Sequence, residues 1–110
     1  MKLAKFHNSA RNSIRDFPEE IRRELGKAIL DLQKGHKLSM PLSKHMPTVG
    51  VGVEELRAKD RNGIYRVFYF ARREDKILIF HAFQKKTQKT PKHEIDLGKK
   101  RLKEMLYEEK

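Results

Sequence analysis

The sequence contains no cysteine, which excludes disulfide bonds, cysteine-ligated zinc and thiol catalysis. It also has no phosphate-binding glycine loop, nucleophile elbow or paired-carboxylate motif. The five histidines do not show the spacing of metal ligands, so we expect neither a metal nor a cofactor. Residues 1–10 contain no apolar run long enough for a signal peptide or a membrane span. We therefore expect a cytoplasmic protein without membrane association.

Acidic residues are scarce relative to basic ones. The 110 residues include 26 lysines and arginines against 15 aspartates and glutamates, a formal net charge of +11. This excess favours a polyanionic partner, because lysine and arginine release counterions when they neutralise phosphates. A generally basic surface is the simpler alternative. Membrane binding is disfavoured, because the cations are spread through predicted strands, turns and three helices.

Helical spacing of apolar residues predicts three helices. The first is capped by Asn8 or Ser9. The second has Pro18 at its first position and ends at Gly35, and the third begins at Thr90-Pro91. The three apolar faces consist of Ala10, Ile14 and Phe17; of Ile21, Leu25, Ala28, Ile29 and Leu32; and of Ile95, Gly98, Leu102, Met105 and Leu106.

Between the second and third predicted helices, apolar residues recur at every second position, which predicts β-strands. Valines alternate at the start of residues 49–57, and residues 64–71 and 77–84 are rich in β-branched and aromatic side chains. Asn62-Gly63 predicts a hairpin with a type I′ turn, and residues 2–7 are a candidate edge strand. A three-stranded meander covered by helices makes residues 1–110 a single α+β domain.

The densest basic segment lies between the last strand and the final helix. Residues 84–93 contain four lysines, Lys85, Lys86, Lys89 and Lys92, and no acidic residue. Free backbone N–H groups at a helix start would add to these charges, so the segment is a candidate phosphate-binding site. A solvated polar loop is the alternative interpretation.

Arg57 and Arg66 lie on strands joined by the Asn62-Gly63 turn, and counting back from the turn makes them neighbours across the hairpin. A guanidinium in a strand of large apolar residues costs desolvation unless it meets an anion or an open face. Its planar fork suits a phosphate. Glu54, Glu55 or another acid is an alternative, purely structural partner.

Tyr65, Tyr69 and His81 are further candidates on the predicted strands. The two tyrosines fall on the face opposite Arg66, where either can stack on a base, although burial in a core is the commoner fate. His81 is expected to share a strand face with Ile77, Ile79 and Phe83. A histidine in such a place is more often a satisfied core residue than a functional one.

Several segments resemble the phage-derived branch of the RelE-like toxins, best known from the HigB-type toxins of type II toxin–antitoxin pairs. They are Pro18-Glu19-Glu20, Glu55-Leu56-Arg57, residues 63–69 and residues 81–91. The resemblance implies a RelE-like α+β fold, in which a helical hairpin and a C-terminal helix pack on a small, mostly antiparallel sheet. It also implies an antitoxin partner of the helix-turn-helix type, and cleavage of mRNA in the ribosomal A site.

The resemblance further implies roles for individual residues in an enzyme that orients the 2′-OH next to the scissile phosphate. Arg66 matches the phosphate-gripping strand arginine, and Arg57 matches the arginine before the turn. Lys85 and Lys86 match the basic residues that end the last strand, and His81 is a candidate proton-transfer group. Lys85 and Lys86, with Lys89, Lys92 and Tyr65, are the candidate RNA-binding residues.

The chain departs from well-studied RelE toxins on the strand before the turn. Those toxins carry lysines where this chain has Val53 and Glu55. The base-like role is therefore unfilled, or it is taken by Lys85, Lys86 or His81. The superfamily also contains ParE-type proteins that poison DNA gyrase and cleave nothing. A gyrase inhibitor is thus the alternative function, and a plain nucleic-acid-binding module is a third.

Overall fold

The computed structural model describes residues 1–85 and 89–109, and in this part of the chain five strands and three helices are found. The strands are β1 (Leu3–Phe6), β2 (Ser43–His45), β3 (Val53–Asp60), β4 (Gly63–Phe70) and β5 (Lys76–Lys85). The helices are α1 (Asn8–Arg15), α2 (Glu19–Gln33) and α3 (Lys92–Glu108).

The strands form one mixed sheet in the order β1-β5-β4-β3-β2. The predicted meander is confirmed, since β3, β4 and β5 pair antiparallel in sequence. The predicted edge strand is also confirmed, and β1 pairs with β5 in parallel. The short strand β2 was not predicted; it lies between α2 and β3 and pairs antiparallel with β3. The α+β class predicted from the order of the elements is correct.

The two faces of the sheet bury two separate apolar clusters. The apolar stripe of α2 packs on one face, as predicted, with Leu56, Tyr65 and Ile79 among the strand residues beneath it. On the other face, Leu102 and Met105 of α3 pack against a cluster from the strands. Since strand residues alternate between faces, a residue's position along its strand decides which helices it meets.

Three helix starts differ by one residue from the prediction. The N-cap of α1 is His7, whose Nδ1 accepts a hydrogen bond from the backbone N–H of Ser9 at 3.2 Å, so Asn8 lies inside the helix. Pro18 and Pro91 are likewise N-cap residues. A proline that lacks an N–H fits just before a helix as well as at its first position.

The β3–β4 hairpin forms where the sequence predicts it, but its turn is of another kind. The two loop residues are Arg61 and Asn62, and the carboxylate of Asp60 accepts a hydrogen bond from the Asn62 N–H at 2.8 Å. Gly63 has a φ of 145°, whereas no non-glycine residue of the described chain has a positive φ. The predicted type I′ turn, which needs a positive φ at Asn62, is therefore wrong.

Strand β5 contains a bulge that reverses the expected orientation of His81. The β4–β5 pairing shifts between Phe68, which faces His81, and Tyr69, which faces Ile79. One extra residue, Phe80, is thus accommodated on β5, and the side chains beyond it change face. His81 consequently lies on the α3 face, so the prediction that it shares a face with Ile77 and Ile79 is wrong. The prediction that it shares a face with Phe83 is correct, and the centroids of the two rings are 5.2 Å apart.

Candidate functional site

Two arginines meet on the α3 face of the sheet, close to the β3–β4 hairpin. Arg57 on β3 is the direct ladder partner of Arg66 on β4, so the neighbourhood predicted from the turn is confirmed. Side chains that pair directly across an antiparallel ladder have Cβ atoms about 4.5–5.5 Å apart. Two guanidinium groups at that separation repel each other unless an anion lies between them.

The anion is the carboxylate of Glu55, which also projects from β3. Arg66 Nη1 donates to Glu55 Oε1 at 2.8 Å, and Arg57 Nε lies 3.5 Å from the same oxygen. The side chain of Glu55 is 0% exposed and that of Arg66 is 2% exposed, whereas 18% of the Arg57 side chain reaches solvent. A buried ion pair of this kind stays intact only when both charges keep their partners.

Thr90 closes the same network from the segment that precedes α3. Its hydroxyl accepts a hydrogen bond from Arg66 Nη1 at 3.3 Å and donates one to Glu55 Oε2 at 3.4 Å. The sequence predicts that the third helix begins at Thr90-Pro91, but the N-cap residue is Pro91 and the Thr90 hydroxyl contacts the two strands. This contact fixes the end of the lysine-rich segment beside the arginine pair.

Two lysines extend the basic surface from the arginines toward the β3–β4 hairpin. Lys59 and Lys85 are the two ladder partners of Ile64, from β3 and β5 respectively. Strand alternation places Lys59 on the same face as Arg57, and Lys85 on the same face as Arg66. We call Arg57, Lys59, Arg66 and Lys85 the cationic cluster. Lys59 was not among the site residues predicted from the sequence. Its position two residues after Arg57 could have indicated it, because residues i and i+2 of a strand lie on the same face.

A groove of about 430 Å³ lies beside the cluster. Arg57 and Lys59 form part of its wall, and Glu24, Leu42 and Ile64 line its other sides. Its size lies within the range of small-molecule and nucleotide sites. Because Glu24 belongs to α2 and Ala58 to the sheet face that α2 covers, the groove lies at the edge of β3, where Arg57 and Lys59 are the cluster members that line it.

The other predicted lysines lie further along the chain. Lys89 is exposed, and Lys92 in the first turn of α3 donates to Asp96 at 3.2 Å. Lys86 lies outside the described residues, so its predicted role stays a prediction. Lys85 is thus the member of the predicted lysine set that the sheet itself places next to the arginines.

His81 lies beneath α3, with both ring nitrogens engaged. Arg101 Nη1 is 2.6 Å from Nδ1, and Glu94 Oε1 is 2.8 Å from Nε2. Because a guanidinium can only donate, Nδ1 accepts and the Nε2 proton is donated to Glu94. Burial lowers the pKa of His81, the nearby Arg101 and His93 lower it further, and the Glu94 contacts oppose them. The neutral form is therefore favoured, and the structure does not bring His81 into the cationic cluster.

Tyr65 lies on the opposite face of the sheet from the cluster, as predicted. Its ring is 2% exposed and makes an edge contact with Phe17, at 5.0 Å between ring centroids. Burial raises the pKa of Tyr65, and its hydroxyl donates to Asp60 at 3.4 Å. Tyr69 shares this face, and burial raises its pKa to about 12. The structure thus places neither ring where a base bound at the cluster would stack.

A search of residues 1–85 and 89–109 for metal-binding groups found no set of three or more histidine, cysteine, aspartate or glutamate side chains suited to hold an ion. Over the same residues, no helix is both long and apolar enough to cross a membrane.

Comparisons with known proteins identify the fold and the family. The family model described as phage derived protein Gp49-like matches residues 12–103. Among solved structures, the crystal structure of the isolated E. coli RelE toxin is similar, with a TM-score of 0.55 and 14% sequence identity over 98% of each chain. At that identity the likeness establishes the fold, and it confirms the RelE-like architecture expected from the sequence motifs. A search of curated proteins found no significant match.

Proposed function

Because the chain belongs to the Gp49-like family of phage-derived proteins, which is a family of RelE-like and HigB-like toxins, we propose that it cleaves messenger RNA on the ribosome. In this proposal it is the toxin of a type II toxin–antitoxin pair. Its partners are a helix-turn-helix antitoxin, which blocks it, and the ribosome, which presents the mRNA.

The main support for the proposal is the cationic cluster together with the buried carboxylate of Glu55. The carboxylate of Glu55 neutralises one of the two arginine charges. The four cationic residues and Glu55 together therefore have a net charge of about +3. Arg57 and Lys59 also line the adjacent groove. A phosphodiester is the ligand that such a surface fits best, because guanidinium and ammonium groups bind its non-bridging oxygens.

The chemistry needs no metal and no protein nucleophile. The 2′-OH of the RNA attacks the adjacent phosphorus, the new O2′–P bond forms, and the P–O5′ bond breaks. The products are a 2′,3′-cyclic phosphate and a 5′-hydroxyl end. Negative charge grows on the non-bridging oxygens in the transition state, and Arg57 is the guanidinium placed to stabilise it.

Protons must leave the 2′-OH and reach the departing O5′. The arginines stay protonated under all physiological conditions, so they bind charge but do not exchange protons. Lys59 and Lys85 are the cluster members that can give a proton to O5′, while the proton of the 2′-OH is released to water. Arg66 acts through the ion pair with Glu55, holding the site in place, while Lys86, Lys89 and Lys92 bind the flanking RNA backbone.

Reconstituted translation tests the proposal directly. Purified protein is added to ribosomes stalled on a defined mRNA, and the 5′ ends of the products are mapped by primer extension. We expect cuts in the A-site codon, and no cuts in free mRNA at the same concentration. The Arg57→Ala variant should be inactive, while Arg61→Ala, an exposed arginine in the hairpin loop, should cleave normally. Intact mRNA together with inhibition of DNA gyrase supercoiling would contradict the proposal and identify a ParE-like inhibitor.

A further inference from the structure

A second basic region lies at the other end of the sheet, in a cleft of about 530 Å³. The cleft is bounded by the segment that follows α2, by β2 and by the ends of β3 and β4. Glu54 lines it, and strand alternation puts Glu54 on the sheet face opposite that of Glu55. The cleft and the cationic cluster therefore open on different faces of the molecule.

Basic side chains converge on this cleft from four separate parts of the chain. They are Lys2, His36 and Lys37, His45, and Arg72. The one carboxylate in the lining, that of Glu54, accepts a hydrogen bond from Ser43 Oγ at 3.3 Å and lies 3.8 Å from His45 Nδ1. Lys37 and Arg72 form no salt bridge with any residue that the structure describes. Gathering the positive charges of Lys2, Lys37 and Arg72 at one cleft costs repulsion, which a bound anion would relieve.

At this cleft, the backbone of Gly52 lies close to the side chain of Arg72. Gly52 has a φ of 82°, and a Cβ atom built on it would lie 2.5 Å from Arg72 Nε and 2.7 Å from Arg72 Cδ. In this arrangement the Arg72 side chain lies against residue 52, and a side chain at that position would displace it. Leu32 and Leu38 contribute apolar surface to the same cleft. Charged groups and apolar surface are therefore combined in one concave site.

We propose that this cleft binds a phosphate group attached to a nucleoside, either as a free nucleotide or as part of an RNA strand. The Arg72 fork and the Lys37 ammonium supply donors for the phosphate oxygens. Leu38, which is half-buried, offers apolar surface for the sugar and base, and the volume fits a ligand of nucleotide size. The site is separate from the cationic cluster, so it does not depend on whether the chain cleaves mRNA.

Titrations followed by NMR test the site with three probes: inorganic phosphate, AMP and a short single-stranded RNA. We expect saturable shifts of the backbone amide signals of Gly35, Gly52 and Arg72. Arg72→Ala should weaken the binding that produces these shifts by about tenfold or more, because a charge-assisted hydrogen-bond donor is lost. Lys27→Ala, which removes an exposed cation from the middle of α2, should leave the affinity unchanged.

The three probes also distinguish the two sources of the phosphate. AMP binding at least as tight as RNA binding would assign the site to a free nucleotide, and much tighter RNA binding would assign it to a strand. Lys37→Gln provides a second test that does not touch the Gly52 contact, and it should weaken binding in the same direction. Cleft signals that do not move with any probe, or equal losses in Lys27→Ala and Arg72→Ala, would overturn the proposal.

Discussion

Arg57 and Arg66 are direct partners in the β3–β4 ladder, and a single buried carboxylate, that of Glu55, contacts both guanidinium groups. The two arginines are not equivalent, because Arg66 is enclosed while Arg57 keeps a partly exposed side chain. We infer that Arg66 fixes the position of the Glu55 carboxylate, whereas Arg57 contacts the ligand. Substitutions at the two positions should therefore fail in different ways.

Arg66→Ala should mainly destabilise the protein. It leaves the Glu55 carboxylate, which is 0% exposed, without its closest partner at 2.8 Å. Breaking a buried ion pair from one side costs about 3–5 kcal/mol. The melting temperature of a domain of this size should then fall by roughly 10–20 °C. Arg66→Lys should recover only part of this loss, because Nη1 contacts both Glu55 and Thr90, and the shorter lysine side chain cannot place its ammonium at that position. Unchanged melting of Arg66→Ala would show that the pair contributes little to stability.

Arg57→Ala should mainly impair activity. Its Nε is 3.5 Å from Glu55, and Arg66 remains to balance that carboxylate. We expect a small change in melting temperature, and a loss of about a hundred- to thousandfold in the single-turnover rate of mRNA cleavage. Thermal melts and cleavage assays on the same preparation separate the two effects. A fully active Arg57→Ala protein would remove this residue from the proposed site.

Thr90 offers a test of the link between the lysine-rich segment and the arginine pair. Thr90→Val keeps the shape of the side chain but removes the hydroxyl that contacts both Arg66 and Glu55. We expect a loss of stability of about 1–3 kcal/mol in urea unfolding, together with slower cleavage. Thr90→Ser retains the hydroxyl and should restore both properties. If the valine and serine variants behave alike, the hydroxyl does not connect the segment to the site.

The fold could be predicted from the sequence wherever one face of a helix or strand is buried, because apolar residues then recur at a regular spacing. The stripe of α2 and the meander of β3, β4 and β5 were found in this way. Strand β2 was missed because it has three residues and two of them are exposed. The orientation of His81 was wrong because the bulge at Phe80 adds one residue, which no periodic pattern reveals.

The site was predicted in part. The Arg57–Arg66 neighbourhood follows from counting residues to a hairpin turn, because antiparallel pairing is fixed once the turn is placed. The sequence left the choice of acid open between Glu54, Glu55 and others, and the structure selects Glu55. The contact of Thr90 with both strands could not be predicted, since it joins a loop to residues 24 and 35 positions away.

Neutralising Lys85, Lys86 and Lys89 together should reduce the salt dependence of ribosome or RNA binding. Each phosphate contact adds about 0.7–0.9 to the slope of log affinity against log salt, so a loss of up to roughly 2–3 is expected. A matched control replaces Lys27, Lys34 and Lys44, which are exposed on α2, just after it and on β2. An unchanged slope in the first triple variant would show that this segment makes no phosphate contact.

Gly98 and Gly26 should respond in opposite ways to alanine. Gly98 lies in α3 where an added Cβ would meet Phe68 Cδ2 at 2.8 Å, while a Cβ on Gly26 of α2 would have no neighbour within 4 Å. Gly26→Ala should stabilise the protein by about 0.5–1 kcal/mol, the usual helix preference. Gly98→Ala brings the same gain in helix preference, but the added Cβ forces α3 away from the sheet. We expect this to cost about 1–3 kcal/mol of stability. Urea unfolding of both variants measures the difference, and equal stabilisation would contradict this packing of α3.

Acid should weaken the attachment of α3 through His81. Burial and the facing cations Arg101 and His93 lower its pKa, although Glu94 acts in the other direction. The unfolded chain therefore binds a proton at higher pH than the folded protein does. Stability is complete above the unfolded pKa of about 6.5 and falls as the pH drops below it, by up to about 1.4 kcal/mol per pH unit.

The His81→Gln variant isolates this contribution. A glutamine amide can donate to Glu94 and accept from Arg101, as the neutral imidazole does, but it does not titrate. We expect urea unfolding of the native protein to show a steeper loss of stability between pH 6.5 and pH 5 than that of the variant. Equal slopes for the two proteins would mean that His81 binds its proton as readily in the folded protein as in the unfolded chain.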